Sequence, residues 1–422
     1  MLTGDFVTEF KEVDRSFKFF IYSRAARSVG LIYVSLAFSL YLSALKLSLV
    51  SIGFVAALVM LFMIFFTLIL GFLGDRAGFK VELLISEGVT FLGIALITIS
   101  TNIDVIIIGM MIAGLTGGAG GIRGSFSPGS NAFIANNYRD EKERVKKYSL
   151  NSLVASVSAI AGSILFSLVT PLSLRVGLLL AYRYLFAISA ALLGVSFIML
   201  LFLKEQKKEK KTAKIMNKTS QKYIVKVITV NSLGGAGMGL IAPLLPLWLV
   251  LMYHVTSLEV GTLFTVVYAA TALGLYFSLK YANKFESLAI AYVTRVVQGA
   301  LIIAMALSPT FLVAGVFYFL RATISGFGSP SRTNVNIRGI SNEDYGTASS
   351  VQGVATRVAQ LSSGASGYLM DILLPIPLLA GGMLQMASGI SYKLLFKRKD
   401  KQTHIARQRG KSNAKQRFKY LK

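Results

Sequence analysis

Long runs without a single charge set the first limit on what this chain can fold into. Ser28–Leu45 and Val50–Leu73 contain no Asp, Glu, Lys or Arg, and each approaches or exceeds the roughly 20 apolar residues that a helix needs to cross a bilayer. Only 15% of the 422 residues are charged, against about 25% in an ordinary soluble protein. The charges that do occur crowd into residues 204–226 and 393–422. That layout belongs to an all-α polytopic membrane protein, whose charges collect where the chain meets water. Lys and Arg outnumber Asp and Glu by 44 to 19, a net charge of +25. In a soluble chain this would suggest nucleic acid. Here the bases flank apolar spans, as cytoplasmic loops do, and nucleic acid is not an expected partner. With no cysteine and two histidines, His254 and His404, disulfides, thiolate chemistry and a histidine-rich metal site are excluded, and no cofactor is expected.

Hydropathy marks twelve spans, near 24–45, 49–74, 82–100, 104–134, 147–172, 178–203, 223–252, 258–280, 286–307, 309–331, 346–371 and 374–396. Basic residues fall in alternate connections: Arg76 and Lys80, Arg139 to Lys147, Lys204 to Lys222, Lys280 and Lys284, Arg332 and Arg338, and the tail. The opposite connections hold mainly Lys46 and Arg175. The positive-inside bias therefore puts both termini in the cytoplasm and the chain in the cell membrane. Residues 1–18 alternate acids and bases without an apolar core, unlike a signal peptide.

The lysine-rich stretch at mid-chain divides the spans six and six. Ser127-Pro128 recurs as Ser329-Pro330, each after a glycine-rich helix end, and the same offset carries Gly162 onto Gly364 and Gly71 close to Gly274. The common register indicates a duplicated six-helix unit. The expected organisation is a cytoplasmic N-terminal segment (1–23), an N-terminal six-helix bundle (24–203), a cytoplasmic linker (204–222), a C-terminal six-helix bundle (223–396) and a basic cytoplasmic tail (397–422). The tail and basic loops are expected to meet anionic lipid headgroups.

The connection between spans 2 and 3 reads Gly71-Phe-Leu-Gly-Asp-Arg-Ala-Gly-Phe-Lys80. Gly71 would allow close helix contact, Gly78 a tight turn, and Asp75 offers a carboxylate to a helix N-terminus or an arginine. The segment closely resembles the signature loop of the major facilitator superfamily, with Gly71, Leu73, Asp75, Arg76, Gly78 and Lys80 matching and Phe79 replacing the usual arginine. The resemblance implies twelve transmembrane helices in two pseudo-symmetric six-helix bundles around a solute cavity opened alternately to each side. It also implies a conformational latch made by Gly71, Asp75, Arg76, Gly78 and Lys80, with Arg357 of span 11 as the partner of Asp75. The counterpart loop, 274–285, has Ser278 and Leu279 where an acid and a base would stand, so its latch would be weaker or steric. Arg24 and Arg27 at the start of span 1, with the charged loop 139–147, give the look of the drug-exporter-like branch, although span 5 lacks that branch's Gly-Pro motif.

Arginines inside spans face a cavity or a partner, because lipid exposure is costly. Arg321, followed by Gly326 and Gly328, keeps the family's span 10 pattern and is open to two readings, a cavity role or bonding to backbone. Arg123 and Arg357 read as structural, and Arg295 as packing outside the cavity. Glu87 is the one clear buried acid, read as an interfacial ion pair or as a proton-coupling carboxylate. Tyr33 and Asn231 are the leading polar contacts to solute, because a buried phenol or amide needs a partner. Trp248 reads better as an interfacial anchor. No nucleophile–base pair can be assembled, so the chain is not expected to be an enzyme. The function implied is secondary active transport of a small organic solute, with efflux as the expected direction and the proton as a candidate coupling ion. The alternatives are import of an organic anion and a non-transporting sensor that signals through its tail.

Overall fold

The computed structural model describes residues 14–114, 126–138, 141–205, 217–341 and 344–396. Among these residues the chain is helical and forms no strand. The first half contains α1 (Arg15–Ala44), α2 (Leu49–Ala77), α3 (Phe79–Ile99), α4 (Ile103–Ala113), α5 (Phe126–Asn137), α6 (Glu141–Ser167), α7 (Val169–Val176) and α8 (Leu178–Leu201). The second contains α9 (Lys218–Ile241), α10 (Leu245–Tyr253), α11 (Ser257–Tyr281), α12 (Ser287–Ala306), α13 (Phe311–Ile337), α14 (Tyr345–Gln360), α15 (Ser363–Ile372) and α16 (376–396). Nine described stretches are long and apolar enough to cross a membrane.

Four expected spans are interrupted, span 5 only at the single residue Leu168 between α6 and α7. Span 4 stops at Gly114, whose left-handed φ of 67° caps α4, and resumes as α5. Span 7 breaks between α9 and α10 around Pro243, which has no N–H for the helix ladder. Span 11 breaks at Leu361 and Ser362. Such breaks survive in a membrane where neighbouring helices satisfy the freed backbone, and here the Ser362 hydroxyl donates to the Ala236 carbonyl at 2.7 Å.

The boundary drawn at residue 23 is corrected. Helix α1 already runs from Arg15, with Phe17, Phe20 and Ile21 buried. Phe20 stacks on Phe133 at 5.5 Å and Phe17 meets Tyr138 edge-on at 5.6 Å. The charges at Asp14, Arg15 and Lys18 depress hydropathy there and hide this aromatic face. The linker is likewise shorter, because α9 begins at Lys218 with Asn217 capping it. The Asp344 carboxylate ties that helix start to the loop before α14, accepting from the Ser341 hydroxyl at 2.6 Å and the Asn217 amide at 3.2 Å. Hydrogen bonding to Ser220 and Ser341 holds Asp344 below its ordinary value. A depressed carboxylate contributes stability that is present at neutral pH and lost as pH falls into the acid range.

Buried residues fall into three groups, and their distribution reveals the shape. One core joins both halves on the side away from the termini, with Tyr33–Leu42, Ile52–Val59 and Phe166 from the first half and Ile241–Leu249, Val260–Val267 and Met370 from the second. On the terminal side the halves have separate cores, one around Phe17, Phe126 and Leu200 and the other around Tyr223, Leu288 and Tyr392. Among the described residues the halves therefore share a core at the far side and have separate cores at the terminal side.

Glycine sets the closest helix approaches. A Cβ at Gly274 of α11 would overlap the Thr323 carbonyl of α13, and one at Gly326 of α13 would overlap the Thr271 carbonyl of α11. This reciprocal contact is the small-residue packing that membrane helices use in place of hydrophobic exclusion. The Gly274–Gly71 correspondence does not carry over to packing, since nothing lies within 4 Å of a Cβ at Gly71. Gly326→Val is expected to cost about 1–3 kcal/mol through overpacking, read as a lowered melting temperature in detergent. Gly353→Ala, which meets no atom within 4 Å, should leave it unchanged or slightly raised.

Candidate functional site

The cleft and its seal are built by side chains whose sizes explain why the helices can meet. On the far side α2 crosses α15 at Gly53 and Gly367: a Cβ on Gly53 would lie 2.8 Å from the Gly367 amide, and one on Gly367 would overlap the Leu49 carbonyl. Beside it α6 meets α11, where Gly261 would place a Cβ 2.8 Å from the Ser167 amide. The Ser163 and Thr265 hydroxyls lie 2.9 Å apart and the Leu258 amide donates to Thr170 Oγ1 at 2.9 Å. Trp248 of α10 completes the seal. It is fully buried, and its ring meets Tyr253 edge-on at 5.6 Å. The interfacial-anchor reading of Trp248 is thus corrected, because α10 packs against α1 inside the shared core.

The signature loop holds its turn with Gly78 at φ +101°. The side chain that organises it is Glu205, just beyond α8, whose carboxylate accepts from the Phe79 amide at 2.7 Å and the Lys80 amide at 2.9 Å. A carboxylate at the N-terminus of α3 meets both its unpaired amides and its positive dipole end. The Lys80 ammonium donates to the Leu201 carbonyl at 2.7 Å, so both strands of this contact join α3 to the end of α8. Arg76 lies over the Phe72 ring at 4.1 Å. Gly71 faces open space, so its expected close contact is not made in this conformation; the crowded glycine is Gly74, against the Glu82 carboxylate. Glu82 is itself buried, a second acid that the sequence reading missed.

The side chain of Asp75 lies outside the described residues, but its place on α2 tests the latch with Arg357. Gly53 and Gly367 stand level where α2 and α15 cross. Arg357 is ten residues below Gly367 and Asp75 twenty-two below Gly53, depths of about 15 and 33 Å at 1.5 Å per residue. Arg357 thus stands nearer the far side than Asp75 in this conformation.

Glu87 forms a fully buried ion pair with Arg27. Arg27 also lies over the Phe126 ring at 4.5 Å, and Arg24 over the same ring at 5.9 Å. The pair joins α1 to α3 inside the first half, so the expected ion pair of Glu87 is made within the bundle. One oxygen of Glu87, Oε1, has no hydrogen-bond partner. Tyr33 is fully buried between Phe166 and Phe186, and its hydroxyl donates to the Tyr182 carbonyl at 3.0 Å. Its phenol is spent inside the first half in this conformation. Asn231 sits with α16 and α13: the Tyr392 hydroxyl lies 2.9 Å from Asn336 Oδ1 and 3.2 Å from Asn231 Oδ1, and donates to one of them. Arg295 donates to the Ser388 hydroxyl at 3.2 Å. Arg123 and the tail lie outside the described residues.

Arg321 of α13 is half-buried, three residues on from Tyr318 of the shared core. Its Nη2 donates to the Met238 sulfur of α9 at 3.2 Å, and its guanidinium lies 5.5 Å from the Tyr318 ring. Among the described residues no cluster of His, Asp or Glu could hold a metal.

The family model described as Major Facilitator Superfamily matches residues 20–390. Among solved structures, a POT family transporter shares the fold with TM-score 0.75 and 12% identity over 93% of this chain and 99% of that one. A D-xylose–proton symporter follows at TM-score 0.68 and 14% identity over 89% and 96%, and a nucleoside transporter at TM-score 0.67 and 13% identity over 89% and 99%. No curated protein matches the sequence.

Gly367→Leu should open the far-side seal, because its side chain would collide with the Leu49 backbone. The chain has no cysteine, so a single Ser163→Cys reports the seal directly. An impermeant maleimide applied from the far side should label that cysteine several-fold faster in the Gly367→Leu background than without it.

Proposed function

The chain belongs to the Major Facilitator Superfamily, and its structural neighbours are transporters rather than enzymes; on that premise we propose that it is a twelve-helix secondary active transporter of a small organic solute working by alternating access. The observation that carries this reading is the asymmetry of the cores, one shared across the halves at the far side and two separate at the terminal side. A cleft sealed at one end only is one of the two states that a rocking mechanism needs. The basic loops favour cytoplasmic termini in the cell membrane, so the cleft described faces the cytoplasm.

Within this reading the direction is efflux, in the manner of the drug-exporter-like branch, and the coupling ion is the proton. Glu87 is the carboxylate for coupling. It is buried, and its free Oε1 leaves room to take up a proton while Arg27 holds the other oxygen. Asp75, with Arg76, Gly78 and Lys80, would latch the cytoplasmic end when the cleft closes there, against the start of α14. The basic tail and loops meet anionic lipid.

Reconstitution in vesicles tests the proposal. Solute counterflow should occur and should survive deletion of 398–422, whereas binding without flux, or loss of function with the tail, would favour a sensor. An imposed pH gradient should accelerate flux in the native chain. Glu87→Gln alone would strand the buried Arg27 charge, at a cost of about 3–5 kcal/mol, so the informative variant is Arg27→Gln with Glu87→Gln. Its counterflow should persist and its response to the gradient should vanish; an unchanged response would remove Glu87 from the coupling role.

A further inference from the structure

The arginines that the fold carries into the bilayer are compensated in different ways, and Arg321 differs from the hydrogen-bonded ones in having sulfur as its acceptor. Arg27 has the Glu87 carboxylate. Arg332 donates to the Thr294 hydroxyl at 3.2 Å and the Ser325 carbonyl at 3.0 Å, and Arg295 to the Ser388 hydroxyl. Arg321 has a thioether, the Met238 sulfur, on Nη2, and its Nε is shut off from solvent with no hydrogen-bond partner. None of the ion pairs among the described residues involves it. A thioether is a weak acceptor, and a guanidinium keeps its charge in any protein environment.

Geometry says what would complete the site. Nε–H and Nη2–H lie along one edge of the guanidinium, the fork that accepts a carboxylate through two parallel hydrogen bonds. That edge is the one left to the sulfur and to nothing. Arg321 lies ten residues into α13, about 15 Å from its far-side end and so near mid-membrane, at the depth where the cleft meets its roof. Apolar and aromatic groups stand beside it: Tyr318 packs edge-on against Phe264 at 5.6 Å, and Phe264 lies 6.2 Å from Tyr268. Arg357 is half-buried on α14 and makes no ion pair among the described residues, so the second half presents further positive charge and no described acid to balance it here.

We propose that the solute is an organic anion, with a carboxylate that takes Nε–H and Nη2–H of Arg321 in place of Met238 and an apolar body that rests against Tyr318 and the displaced methionine. This inference rests on the transporter reading and names its cargo. A neutral or cationic solute would leave the guanidinium with only its sulfur partner, whereas an anion brings the counter-charge with it and leaves the site empty of charge imbalance when bound. Met238, flexible at three torsions, holds the arginine in the absence of cargo and yields when cargo arrives.

Thermal stabilisation of the purified full-length chain in detergent tests it, because a ligand that binds the folded state raises its melting temperature by mass action. The probes are benzoate and 2-naphthoate, with benzamide and benzylammonium as neutral and cationic counterparts of similar shape. Both carboxylates should stabilise the chain in a dose-dependent manner and the counterparts should not. Arg321→Lys, which keeps the charge but loses the fork, should weaken carboxylate binding at least about tenfold. Met238→Leu should retain binding or tighten it. Met238→Glu, which supplies an internal carboxylate to an intact Arg321, should abolish it, and this variant serves if Arg321→Lys does not fold. Stabilisation by benzamide equal to that by benzoate, unchanged benzoate binding in both Arg321→Lys and Met238→Glu, or no stabilisation by either carboxylate would overturn the proposal. Vesicle flux separates the two claims: movement of benzylammonium or benzamide but not benzoate keeps the transporter and removes the anion, whereas carboxylate binding without flux of any probe keeps the site and removes the transporter.

Discussion

Two helices inside a bilayer gain little by hiding apolar side chains from their surroundings, since lipid tails are as apolar as leucine; cohesion falls instead to close packing and to hydrogen bonds that have no water to compete with. The far-side seal depends on that constraint. Gly53 and Gly367 let α2 and α15 approach backbone to backbone, and Gly261 does the same for α11 against α6. Around these points sit short hydroxyl contacts, Ser163 with Thr265 and Thr170 with the Leu258 amide. A side chain larger than hydrogen at any of the three glycines would part the halves. The position of the shared core, the depth of the cleft and the height at which Arg321 meets it all follow from where these helices touch.

The two halves use charge differently. In the first, Arg27 and Glu87 neutralise one another inside the bundle and tie α1 to α3. Such a pair is costly to dehydrate, and its value lies in what removing one partner would leave behind. In the second, the deep arginines are held by hydroxyls, carbonyls and one sulfur. The first half is therefore balanced electrically within itself at this pair, while Arg321 and Arg357 of α13 and α14 make no ion pair among the described residues. A proton on Glu87 and an anion on Arg321 would act on opposite walls, so each could bias closure without competing for the same group.

Much of the architecture was legible in the sequence because the membrane imposes it: uncharged runs become helices, and charges wait for water. The helix breaks were only half visible. Pro243 announced one, but the interruption at Leu361 and Ser362 has no proline and arises where α14 and α15 pack on different partners, α9 and α2. The N-terminal boundary was missed because Asp14, Arg15 and Lys18 mask the aromatic face of Phe17 and Phe20 in any averaged hydropathy. Within the candidate site, the tight turn at Gly78 was readable from one residue's conformational freedom, whereas Glu205 was not. Its role depends on the end of α8 arriving beside the start of α3, 125 residues away. Arg357 was readable as a buried cation, whereas its height relative to Asp75 depends on the helix crossing at Gly53 and Gly367.

Alternating access requires that a seal be firm enough to exclude solute and weak enough to open. The far-side contacts meet both demands by their chemistry. They consist of glycine approaches, hydroxyl pairs and buried aromatics, and among the described residues no ion pair crosses from one half to the other. Opening them strands no charge, and each hydroxyl released on α6 can return to its own helix backbone, as Ser163 already does with the Ile160 carbonyl at 2.8 Å and Ser167 with the Ser163 carbonyl at 3.3 Å. The free-energy gap between sealed and open states is thereby kept small, and only a small differential affinity is needed to shift it. An anion gripping Arg321 just beneath the seal is placed where such a difference would be felt, because it would replace the Met238 contact between α13 and α9 at that depth.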